Sequence, residues 1–104
     1  MSGPALTVGR GVIVEMARLA AFEVPGVLKV ARGGPAWRAV FRGPPVNVRV
    51  RGEVVDVRLW IVARPGADLA AVSRQVRTAV AAAVERLLGL SLGSVTVVVD
   101  GIGA

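Results

Sequence analysis

Histidine, cysteine and tyrosine are absent from this sequence of 104 residues, and lysine occurs once, at Lys29. Without cysteine there is no disulfide framework, no thiolate metal site and no thiol nucleophile, so redox chemistry is excluded. With histidine and tyrosine also missing, the usual general bases and soft metal ligands are gone, which removes most enzyme classes. The seven carboxylates are scattered as Glu15, Glu23, Glu53, Asp56, Asp68, Glu85 and Asp100, with no Asp-x-Asp, no Glu-x-x-Glu and no loop resembling a calcium site. Ser2, Ser73, Ser91 and Ser94 have no base to activate them. Gly9-Arg10-Gly11 and Gly101-Ile102-Gly103 are too short for a dinucleotide fingerprint and read as turns. The expectation is a protein that binds or assembles: not an enzyme, with no catalytic residue, no cofactor, no metal and no small-molecule substrate.

Long hydrophobic runs are missing too. The apolar stretches at 78–84 and 95–99 fall well short of the roughly 20 residues that cross a bilayer. The start Met-Ser-Gly-Pro-Ala-Leu lacks the features of a secretory signal, so the expected location is the cytoplasm.

What is present is a foldable chain. Hydrophobic residues make up 54% and charged residues 19%, enough to fill one core, and residues 1–104 are expected to form a single domain. The net charge is +6, and 12 of the 13 cations are arginine. Together with abundant Ala, Val, Gly and Pro, this matches the codon bias of a GC-rich genome, while still giving a salt-sensitive attraction to polyanions.

Ile13, Met16, Ala17 and Ala20 recur at spacings of three and four and predict an amphipathic helix over 12–23, stopped by Pro25-Gly26. Leu6 to Val8 could precede it as a short strand. From Val27 to Pro45 the glycines and prolines mark a connection, with Trp37, Val40 and Phe41 expected to plug it onto the core. Val46 to Arg64 alternates on both sides of Gly52-Glu53, a turn pair with glycine first, and predicts a β-hairpin. Its parity puts Val46, Val48, Val50, Val55, Val57, Leu59, Ile61 and Ala63 on one face. Asn47, Arg49, Arg51, Val54, Asp56, Arg58, Trp60, Val62 and Arg64 share the other. Asp68 is placed to cap a long helix with the stripe Leu69, Val72, Val76, Ala79, Val80, Ala83, Val84 and Leu87, ended by Gly89. Val95, Val97 and Val99 then alternate with Thr96, Val98 and Asp100 as a last strand. The elements predict an α+β fold in two layers, an antiparallel or mixed β-sheet covered on one face by two helices, in the order (β)αββαβ.

The mixed face of the hairpin is the candidate interaction face: Arg49, Arg51, Val54, Asp56, Arg58, Trp60, Val62 and Arg64. A two-residue turn sets Arg49 opposite Asp56 and Asn47 opposite Arg58, pairs common on any solvated sheet. The arginines around Trp60 also outline a cationic stacking surface for nucleic acid. Val54, Trp60, Val62 and Val98, rimmed by charge, suit a protein contact, with a second copy as the simplest cover.

Residues 16–30 and 46–102 carry a resemblance. The run Leu19-Ala20-Ala21-Phe22-Glu23-Val24-Pro25-Gly26-Val27, the Gly-rich connection, the valine-rich hairpin, Gly66 before the second helix and Gly89-Leu90 before the last strand resemble the alkaline shock protein family. These are small bacterial domains linked to cell-envelope stress. The resemblance implies a non-enzymatic protein that is abundant in the cytoplasm, self-associates into a homo-oligomer, and lies at the inner face of the membrane through a membrane-anchored protein partner. Two functions stay open at this point: such an envelope-stress scaffold, or a small basic domain that binds nucleic acid weakly, without a Gly-x-x-Gly loop or an aromatic RNP motif.

Overall fold

The computed structural model describes residues 9–34 and 43–103. In chain order these form α1 (Arg10–Phe22), β1 (Val27–Lys29), β2 (Val46–Arg51), β3 (Val54–Ala63), α2 (Leu69–Ala82) with a π turn at Ala83–Leu87, and β4 (Ser91–Ile102). The strand expected at Leu6–Val8 and the plug of Trp37, Val40 and Phe41 lie outside the described residues.

The hairpin forms as its alternation predicts. Gly52 takes a left-handed φ of 62° at the first turn position, which lets β2 and β3 pair antiparallel from Arg51↔Val54 to Val46↔Leu59. Arg49 thus faces Asp56, and Asn47 faces Arg58. Seven of the eight residues assigned to the core face are buried; Val50, beside the turn on the edge strand β2, is 39% exposed.

β3 is the centre of a mixed four-stranded sheet. β2 and β1 share one of its edges, β2 along 54–59 and β1 at 62–63, while β4 lies parallel along the other. A parallel neighbour needs a crossover, and α2 supplies it, so β3, α2 and β4 make one βαβ unit. β1 lies inside the stretch expected to be a connection. Three residues hold too little alternation to announce a strand, and Val27–Lys29 is recruited by pairing with Val62 and Ala63.

Both helices pack on the same sheet face. Ile13, Ala17 and Ala21 from α1 meet Val72, Val76, Val80 and Val84 of the second helix over Val48, Val55, Val57, Leu59 and Ile61. α1 starts without a side-chain cap, at Gly9, whose carbonyl accepts from Val12 at 3.0 Å. α2 has its expected cap: Asp68 Oδ1 accepts from the Ala71 amide at 3.1 Å. The stripe of α2 is buried in its middle but not at its ends, since Leu69 is exposed and Leu87 is 69% exposed. At Leu87 the cause is the π turn, in which the Leu88 amide donates to the Ala83 carbonyl at 3.3 Å. The wider turn breaks the 3.6-residue phase, swinging Leu87 outward and seating Leu88 against the core.

Candidate functional site

The sheet face away from the helices carries the predicted interaction residues, and the structure brings most of them together. Arg49, Arg51, Arg58 and Arg64 are exposed, and Val54, Asp56 and Trp60 are half-buried. Val62 departs from the expectation. It is only 5% exposed, because β1 and the chain end close over it, with Gly103 set against Leu28 and Val62. Val62 therefore belongs to the interior and leaves the interaction face.

Trp60 is also partly covered by its own chain. After β1 the backbone turns back beneath the sheet, and the Arg32 guanidinium stacks 3.6 Å from the centre of the Trp60 ring. Arg58 stands at 5.9 Å from the same ring. The Gly33 amide donates to Asp100 Oδ2 at 2.8 Å, which ties this strap to β4. Gly33 is needed there: a Cβ would run into the Asp100 carbonyl. Sequence reading missed Arg32, because its stretch reads as connection and nothing in a linear pattern shows which ring it will meet.

The half of the face nearer the hairpin turn stays open. There Arg51 Nε donates to Asp56 Oδ2 at 2.8 Å, and the Ser94 hydroxyl donates to Asp56 Oδ1 at 3.1 Å. The carboxylate thus goes to the diagonal arginine and not to Arg49, its direct cross-strand neighbour. The Arg51 hydrogen bond, with a smaller one from Ser94, holds the Asp56 carboxyl below the usual carboxylate range against some desolvation. The same contact raises the Arg51 guanidinium. Beside this pair a depression of 720 Å³ runs along β2, with Arg10, Asn47, Arg49, Arg58 and Thr96 in its walls. Such a surface can hold anionic groups by charge and by arginine forks. A second, apolar groove of 480 Å³ lies between α1 and the π turn, lined by Met16, Leu19, Ala20, Ala83 and Leu87. Among the described residues there is no cluster of three or more carboxylates that could hold a metal ion.

Two helices on one face of a mixed sheet, with an arginine-rich opposite face, define the chain as a small two-layer α+β domain. Solved structures of this shape include MamM CTD variants. A triple-substituted form superposes with a TM-score of 0.65 at 20% identity, covering 89% of this chain and 95% of that one. A double-substituted form gives 0.61 at 18% identity, over 86% and 82%. A zinc form gives 0.59 at 19% identity, over 90% and 87%. At these identities the likeness is one of fold. The sequence itself matches the alkaline shock protein family, whose description is a cell envelope-related function, over residues 4–104, and the chain belongs to that family. No curated protein matches it.

Proposed function

We propose that this protein is a non-enzymatic scaffold of the cell-envelope stress response, working in the cytoplasm by self-association and by binding a membrane-anchored protein at the inner face of the membrane. The observation that carries this reading is the open half of the basic face. Arg49, Arg51 and Arg58 surround a single Asp56, a surface with charge for contact but with no histidine, cysteine or tyrosine to react. The family's cell envelope-related function supports the setting. No described helix is long and apolar enough to cross a membrane.

The charge of the face selects its partner. A two-fold contact of this face with itself would oppose arginine to arginine, and like charges brought together at an interface are repulsive. The face fits an acidic segment of another protein better than a second copy. Trp60, under Arg32, is no longer a free anchor for such a two-fold contact. The same stacking covers one face of the ring and weakens its use as a platform for nucleic-acid bases.

Crosslinking in cells followed by isolation of the membrane fraction tests the reading. The expected product joins the chain to a membrane-anchored protein with an acidic cytoplasmic segment, and Arg49→Glu with Arg58→Glu abolishes it. Recovery of nucleic acid in place of protein at physiological salt would overturn it.

A further inference from the structure

The two outer edges of the sheet are built differently. β2 carries Asn47, Arg49 and Arg51 along its outer edge, and charged side chains are a standard guard against strand addition. The middle of β4 has no such guard, since its one charged residue, Asp100, lies beyond the regular stretch. Among the described residues it pairs only with β3, and from Ser94 to Val99 the pairing is regular, one residue for one, between register shifts at either end. These six residues, Ser-Val-Thr-Val-Val-Val, contain no charge, no proline and no glycine. They span about 20 Å of strand, the length of an ordinary sheet pairing. Val95, Val97 and Val99 face the helices yet remain half-buried, while Thr96 and Val98 lie on the opposite side with Thr96 exposed.

We infer that the Ser94–Val99 edge of β4 is the self-association surface, where a second copy adds its own β4 antiparallel about a two-fold axis. The inference deepens the self-association part of the scaffold reading by naming its surface. A backbone edge accepts only an extended strand, which fixes the chemistry of the occupant. The uncharged run also meets its own copy without repulsion, whereas β2 meeting β2 would set Arg49 and Arg51 against their copies. Pairing there would complete the cover of Val95, Val97 and Val99 between two helix layers. It would place the two basic faces side by side on one continuous sheet, free for an acidic partner.

Sedimentation over a wide concentration range provides the test, with Thr96 as the probe because its side chain is exposed and a lysine there leaves the core untouched. Wild type should form dimers, and Thr96→Lys or Thr96→Glu alone should weaken the dimer about a hundredfold with an unchanged circular dichroism spectrum. An equimolar mixture of the two variants should restore association, since Lys and Glu then lie within reach across the edge. The chain has no cysteine, so oxidised Thr96→Cys should give a covalent dimer while Arg49→Cys on the other edge should not. A wild-type dimer indifferent to Thr96→Lys, or one trapped through Arg49→Cys, overturns the edge and leaves self-association standing. A wild type that stays monomeric at every concentration overturns both.

Discussion

Gly26 shows how a single residue ties sequence to packing. From the sequence it reads as half of a helix-stopping Pro-Gly pair. In the fold its φ is not left-handed, and its need for glycine comes from a close approach: a Cβ there would collide with Val72 Cγ2 on α2. Gly26→Ala should lose about 1–3 kcal/mol, the usual effect of overpacking, measured by chemical unfolding. Trp60 is a second such case. Its stack with Arg32 makes it a structural contact, so Trp60→Ala should lower stability by roughly 1–3 kcal/mol through lost packing and cation–π attraction, with the unfolding midpoint as readout. Asp56 gives a pH signature. Its folded-state carboxyl titrates below the unfolded value, chiefly because of Arg51, so its contribution is fully present above the usual carboxylate range. It is lost as the pH falls through the lowered value. Wild type should be more stable than Asp56→Asn at neutral pH, and the difference should vanish in strong acid.

At the scale of elements, α2 covers the sheet together with α1, and its start is fixed by one side chain. Asp68→Ala removes the bond to the Ala71 amide and should lower stability by about 1 kcal/mol, with Asp68→Asn recovering most of the loss, as thermal unfolding would show. The elements also show what a linear pattern can carry. The hairpin was legible down to its register because period-two alternation and a glycine-first turn leave one solution. The stripe of α2 was legible from Val72 to Val84; it failed at Leu69, exposed in the first turn, and at Leu87, where a hydrogen bond to the fifth residue back resets the phase. β1 was illegible because its strand character comes from Val62 and Ala63 across the sheet. The candidate face was legible by parity, so Arg49, Arg51, Asp56 and Arg58 lie together as expected. Val62 was misplaced because parity says which side a residue faces, not whether distant chain covers it.

For the whole molecule, the +6 charge and its partition give the proposed protein partner and its nucleic-acid rival different signatures. Among the described residues of the predicted face, Arg51 is engaged by Asp56 and Arg32 lies on Trp60, which leaves Arg49, Arg58 and Arg64 as its exposed arginines without a carboxylate partner. Three arginines neutralising phosphates of a single strand release about two counterions, because each contact contributes roughly 0.7 to the slope of log affinity against log salt. Affinity for a single-stranded oligonucleotide should therefore fall about fifteenfold between 50 and 200 mM salt. It should also be the same for strands of different sequence, as expected where the arginines contact phosphates. An acidic peptide should outcompete the oligonucleotide at the higher salt, since bidentate arginine–carboxylate bonds rest on geometry as well as charge. Fluorescence anisotropy with a labelled oligonucleotide and an unlabelled peptide measures both quantities. A slope well above two, or a preference among sequences, would mean that the face reads nucleic acid and that the protein scaffold is the wrong conclusion.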